Sequence, residues 1–280
     1  MLVISPDYKQ VLRYLLLVIV AFVFIFPVYF MVVASFSLED PSVTGSLFPD
    51  GYLGWWKPML TSGSDFSTNT WPKSIMNSII TSVASVVVTL LISFPAGYVF
   101  SRFNFTADKH IFFFLFITRV APVVTMIIPY LIIFATLGLL DTIAGLVIAY
   151  LSFNVPIAII LFTSFMSAIP KEFDEASFID GYSLSRYFWK IFIPLCKPAI
   201  SVVALFVWWQ TWSEMFFASV LSRIDAMPLV ANMLVIFGRT GYGIPPGLIT
   251  TAGVITMIPA FILLFWARNY LAKGFTFGRM

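Results

Sequence analysis

The sequence predicts an all-α, polytopic membrane protein with six transmembrane helices and a pair of short surface helices between spans four and five. Three observations carry this reading. Of the 280 residues, 60% are hydrophobic and only 10% are charged, against roughly 25% charged in an ordinary soluble domain. Mean hydropathy is +0.97, more apolar surface than a soluble fold of this size can bury. Six apolar stretches, near 12–35, 75–100, 110–135, 142–167, 195–221 and 249–271, reach the length of about 20 helical residues that crosses a bilayer. The same figures exclude a soluble globular enzyme, a disordered chain and a nucleic-acid binder.

The first stretch, from Leu12 onward, is too long for the apolar region of a signal peptide. It is read as an uncleaved span behind a short N-terminal head, residues 1–11. Orientation follows from the 16 Lys and Arg residues. Eleven fall on the side holding the N-terminus, the 101–110 loop, the 168–194 loop and the C-terminal tail. Four (Lys57, Lys73, Arg223 and Arg239) fall on the other, and Arg119 lies within a span. Positive charge collects on the cytoplasmic side, so both termini are placed in the cytoplasm. Prolines at membrane depth, Pro27, Pro95, Pro122, Pro129, Pro156 and Pro259, read as kinks, with Pro122 and Pro129 near Arg119 as candidate hinges. The outer segment from 36 to 74 carries Trp55-Trp56, an interfacial anchor or a partner contact. One Cys and one His exclude an internal disulfide and argue against a His/Cys metal site. No repeat or linker divides the chain, so residues 1–280 read as a single transmembrane domain.

Residues 168–194 differ from their surroundings. They hold Glu172, Asp174, Glu175, Asp180, Lys171, Arg186 and Lys190, a charge density typical of a soluble helix. Phe173, Ala176, Phe178 and Ile179 supply an apolar face, which Phe188, Ile191 and Phe192 continue. Gly181 interrupts the run and is free to take positive φ. Pro194 marks entry to the next span. The segment therefore reads as two short helices joined at Gly181, lying along the cytoplasmic surface.

The spacing Glu175-Ala176-Ser177, Asp180-Gly181, Ile191, Ile193-Pro194 resembles the "EAA" loop of binding-protein-dependent ABC importer permeases, with Ser177 for the second Ala and Ile193 for the Leu before Pro. Further stretches resemble carbohydrate-type members: Asn77-Ser78-Ile79 through Ser101-Arg102-Phe103, Leu137 through Thr142, Trp212-Ser213-Glu214, and the tail 269–276, which is similar to the maltose-transporter-type second permease. The resemblance implies a permease domain whose 168–194 loop is a coupling helix pair docked on an ATPase subunit. Glu175, Ala176, Phe178, Asp180, Gly181 and Tyr182 would form that ATPase-coupling surface. It also implies the partners: a second homologous permease, two ATP-binding subunits, an extracytoplasmic solute-binding protein and membrane lipid. The setting implied is a bacterial or archaeal inner membrane. The chain lacks a G-x-x-x-x-G-K-[ST] phosphate loop, so no cofactor is expected in it, ATP and Mg being bound by partner subunits, and no catalytic residue is assigned.

Arg119 and Glu214 are the ionisable residues deep in spans, costly if they face lipid. They pair with each other, line a substrate path, or do both. Gln210, Trp212 and Asn154 join them as path candidates, because amides and aromatic faces suit a neutral sugar. Two other readings compete. An ion-coupled secondary transporter calls for inverted repeats and paired intramembrane carboxylates, neither of which is found. A membrane enzyme needs a catalytic cluster, and the acids from Glu172 to Asp180 have no nucleophile–base or metal-ligand spacing.

Overall fold

The computed structural model describes residues 8–61, 71–118, 123–240 and 245–277. The first helix, α1, spans Tyr8–Ser35. Two single turns follow, α2 (Pro41–Thr44) and α3 (Lys57–Leu60). Then come α4 (Trp71–Arg102), α5 (Asp108–Thr118), α6 (Val123–Leu137) and α7 (Ile143–Ser167). The 168–194 segment forms α8 (Glu172–Ile179), α9 (Leu184–Tyr187), a π-helical turn (Phe188–Phe192) and α10 (Ile193–Leu195). The chain ends with α11 (Lys197–Trp212), α12 (Phe216–Leu221), α13 (Leu229–Thr240) and α14 (Pro246–Phe277).

Two compact units result, Met1–Asn69 with Arg239–Ile258, and Thr70–Gly238 with Pro259–Met280. In the first unit, the Trp pair has a use that neither sequence reading foresees. Trp55 Nε1 donates to the Ser37 carbonyl at 2.8 Å and Trp56 Nε1 to the Ser35 carbonyl at 3.0 Å. The indoles thus satisfy carbonyls at and just beyond the end of α1, and Ser35 O also accepts from the Thr251 hydroxyl at 3.4 Å. Phe36 stacks on Trp56 at 4.9 Å.

The second unit is built on α4 and α7. Their contact follows from a stripe of small hydroxylated residues on α4, buried from Ser74 through Ser78, Thr81, Ser82, Ser85 and Thr89 to Ser93. Spacings of three and four residues keep the stripe on one face. Small side chains let helix backbones approach closely, which is what packs helices where lipid removes the hydrophobic drive. The approach is closest at Gly97, where a Cβ would lie 2.5 Å from that of Phe162 on α7. Two apolar clusters close the ends of this pair. One gathers Phe94, Tyr98, Phe162, Met166, Tyr187 and Phe192. The other gathers Phe134, Leu146, Tyr150, Phe217, Leu221 and Met227.

The six expected spans divide unequally. Among the described residues, α1, α4, α7 and α14 are each long and apolar enough to cross a bilayer. Of the expected third span, α5 and α6 are described on either side of residues 119–122, and Arg119 and Pro122 lie outside the described residues. The expected fifth span, 195–221, is not one helix. It bends by 71° from the Leu184–Leu195 helical run into α11, where Pro194 and Pro198 flank Cys196 and withhold N–H groups. It stops again at Trp212, before α12. The connection that follows contains α13, which the sequence reading leaves without regular structure.

Candidate functional site

The acids in the first turn of α8 (Glu172, Asp174 and Glu175) complement the positive end of its dipole. The helix ends in a Schellman motif. Gly181 N donates to Phe178 O and Tyr182 N to Ser177 O, both at 3.1 Å. Gly181 takes φ of +81°, the left-handed conformation that this cap requires. Ser183 then caps α9 by accepting from Arg186 N. The two short helices and the turn at Gly181 thus stand where the sequence reading puts them.

One side of this pair faces outward. Glu175, Ala176, Asp180 and Gly181 are exposed and Tyr182 is half-buried, with the Arg186 guanidinium 4.9 Å above its ring. Phe173 and Phe178 are about half exposed and Ile179 is 86% exposed. Apolar side chains held this openly on a charged, conformationally fixed turn make a surface suited to a cleft in another protein.

The other side is buried. Asp174 Oδ2 lies 2.8 Å from Arg102 Nε at the end of α4, with side-chain exposures of 13% and 4%. The Tyr187 hydroxyl donates to Asp174 Oδ1. The Arg102 guanidinium sits 5.3 Å from the Phe192 ring centre. The Ser177 hydroxyl donates to Asp174 O at 2.7 Å and is itself buried, which explains a small residue at that position. Sequence reasoning treats Arg102 and Asp174 as surface charges, and no local pattern marks them as a pair.

Of the polar path candidates, Asn154 lies on α7 and Gln210 and Trp212 lie on α11. Asn154 is fully buried, and its Nδ2 donates to Thr211 Oγ1 at 3.0 Å. Its Oδ1 has no hydrogen-bond partner among the described residues. Trp212 is buried and stacks on Trp208 at 5.0 Å, while Gln210 is half-buried. Glu214 does not sit within a continuous helix. Its carboxylate accepts from Phe217 N at 2.9 Å and Ala218 N at 3.1 Å, capping α12. That capping is the physical reason the expected fifth span breaks there. Arg119 is outside the described residues, so its expected pairing with Glu214 is too.

At the opposite end of α4 and α7, Asp141 organises a loop that sequence reasoning does not single out. Asp141 takes φ of +56°, a conformation that Asp tolerates better than most residues. Its carboxylate accepts from the backbone N–H groups of Arg223, Ile224, Asp225 and Ala226 at 2.8–3.2 Å. Lys73 pairs with Asp225 at 2.5 Å, and Asn77 Nδ2 donates to the carbonyls of Asp225 and Met227. Burial alone would raise the Asp141 pKa. The four N–H donors outweigh it and bring it from 3.8 to about 2. A depressed carboxyl stabilises the fold above its unfolded pKa and loses that contribution as pH falls toward the folded value. Protection of amides 223–226 against hydrogen exchange, relative to intrinsic rates, is therefore expected to be full above pH ~4 and to fall away toward pH ~2. Asp141→Asn is expected to speed exchange at those four amides at neutral pH. Unchanged protection in that variant would show that the carboxylate does not hold the loop.

Among the described residues no three His, Cys, Asp or Glu side chains gather as a metal-holding group. Comparison with known proteins supplies the family. Residues 93–277 match the model of the "Binding-protein-dependent transport system inner membrane component" family. The trehalose/maltose transport system permease protein MalG of Thermococcus litoralis is 30% identical over 277 residues, covering 97% of this chain and 98% of that one. The diacetylchitobiose uptake system permease protein NgcG of Streptomyces coelicolor is 27% identical, covering 68% of this chain and 64% of that one. In fold, the chain is similar to one from a bacterial ABC transporter that imports the acidic polysaccharide alginate, with a TM-score of 0.75 and 22% identity over 96% of this chain and 99% of that one.

Proposed function

The chain belongs to the family of binding-protein-dependent transport system inner membrane components and is a multi-pass permease of an ATP-binding-cassette importer, and we propose that its cargo is a sugar or sugar derivative. Relatives named for trehalose/maltose and diacetylchitobiose uptake support that class. So do the amides of Asn154 and Gln210 and the indole of Trp212, which with Glu214 and Arg119 we assign to the substrate path. Asn154 supplies a buried acceptor with a free lone pair, and such an atom is costly to leave unmet.

The 168–194 pair is the coupling element, and the single observation that carries this is its outward face. Glu175, Ala176, Phe178, Asp180 and Tyr182 are presented on a turn fixed by Gly181. This face docks in a cleft of an ATP-binding subunit. ATP and Mg are held by two such subunits, a second homologous permease completes the path, and a solute-binding protein delivers cargo on the far side. Both termini are cytoplasmic, in the inner membrane of a bacterium or archaeon, with lipid around the spans.

Uptake of labelled di- and oligosaccharides into proteoliposomes carrying the whole complex tests this. Uptake is expected to require both internal ATP and the loaded binding protein. Uptake that continues after ATP depletion, with a proton gradient intact, would transfer the function to an ion-coupled mechanism.

A further inference from the structure

The outward face of the coupling pair explains how a partner holds it, but not how its movement enters the membrane. The buried side bears on that question. Asp174 is gripped from two directions, by Arg102 at the end of α4 and by the Tyr187 hydroxyl on α9. One carboxylate therefore ties α8, α9 and α4 together. Arg102 is also held from a third side by the face of Phe192. Around this knot the rings are continuous: Phe178 lies 5.6 Å from Tyr187, Tyr187 5.8 Å from Phe192, and Phe192 4.7 Å from Tyr98 on α4.

Ring contacts of this kind are individually small attractions, each a fraction of what holds a buried charge in place. A buried ion pair does not allow slip. Separating it leaves uncompensated charge in a low-dielectric site, which is strongly unfavourable. The pair therefore fixes α4 and the coupling helices in one register. Closer packing at Gly97 and the hydroxyl stripe extend that rigid body along α7.

We propose that Arg102, Asp174 and Tyr187 are positioning residues that form the joint through which displacement of the coupling pair is delivered to α4. This rests on the coupling assignment made above. Without the joint, the ATP-binding subunits still dock and hydrolyse ATP, but α8 yields against the aromatic packing and α4 is left behind.

The test uses the whole complex in proteoliposomes and reads sugar transported per ATP hydrolysed. The variants are Asp174→Asn, Tyr187→Phe, Arg102→Gln and Arg102→Lys. Docking is monitored separately, by cross-linking Ala176→Cys to a cysteine in the ATP-binding subunit. In the Asp174→Asn and Arg102→Gln complexes, cross-linking is expected to persist while transport per ATP falls about tenfold, the size of an ordinary coupling free energy. Arg102→Lys, which restores the charge, should recover part of the loss. Tyr187→Phe keeps the ring and removes only the hydroxyl, so it folds even where the charge variants do not assemble. It should lower transport per ATP about threefold, within the range of one net hydrogen bond. An unchanged transport-to-hydrolysis ratio in assembled, cross-linkable Tyr187→Phe and Asp174→Asn complexes overturns the joint and leaves the docking assignment standing. Absence of the cross-link in the otherwise unaltered complex overturns the docking assignment, and the joint with it.

Discussion

Gly181→Pro is expected to leave the chain inserted in the membrane while abolishing ATP hydrolysis stimulated by loaded binding protein. The position has φ of +81°, and its N–H donates to Phe178 O. Proline fixes φ near −65° and has no N–H, so the Schellman closure of α8 is lost on both counts. Glu175 and Phe178 then no longer share a fixed frame with Tyr182. Gly181→Ala separates conformation from crowding. A Cβ there meets nothing within 4 Å, so alanine bears only the left-handed backbone cost of about 1–2 kcal/mol. Stimulated hydrolysis should therefore be partly kept in Gly181→Ala and absent in Gly181→Pro. Full stimulation in the proline variant would remove the turn from the coupling surface.

The second large effect is expected at Gly97. Any side chain there drives α4 away from α7, because a Cβ would stand 2.5 Å from the Phe162 Cβ and 3.3 Å from the Thr163 backbone nitrogen. Neither atom is the free end of a flexible side chain, so the helices themselves must separate. Overpacking of a close contact costs about 1–3 kcal/mol for small additions. Gly97→Ala should accordingly lower the thermal midpoint of the detergent-solubilised protein. Gly97→Leu should prevent accumulation of monodisperse protein. Gel filtration after a heat series measures both. A wild-type midpoint in Gly97→Leu would mean that the two helices do not touch there.

Much of the fold is legible in the sequence where composition decides it. The spans that become α1, α4, α7 and α14 stand out because their apolar runs are long and unbroken by charge. The surface helix pair α8–α9 is legible for the opposite reason: charges return there, at a spacing that matches a family pattern, and Gly181 marks the turn. The break after Trp212 is not legible. Glu214 sits between two apolar runs, and hydropathy cannot tell an acid inside a helix from one that starts a new helix by accepting the N–H groups of Phe217 and Ala218. The Arg102–Asp174 pair is hidden likewise, because it joins residues of separate elements that share no periodicity. Asp141 falls within the Leu137–Thr142 resemblance, but its role is hidden because its partners are backbone N–H groups, and these have no side-chain signature. Of the path candidates, Asn154 and Trp212 are buried, Gln210 is half-buried and Glu214 caps α12, and hydropathy does not separate these fates.

The hydroxyl stripe on α4 has a consequence for biogenesis. While the ribosome is still making the chain, α4 enters the bilayer before α7 exists to cover it. During that interval the face from Ser74 to Ser93 borders hydrocarbon. The hydroxyls of Thr81, Ser82, Ser85 and Thr89, which have no hydrogen-bond partner in the folded protein among the described residues, must then turn back onto their own helix carbonyls. The nascent α4 is thus a stable but unfinished span, waiting for a helix that leaves the ribosome some 40 residues later. Chains that terminate before Ile143 would lack α7 and leave this polar seam uncovered on that side.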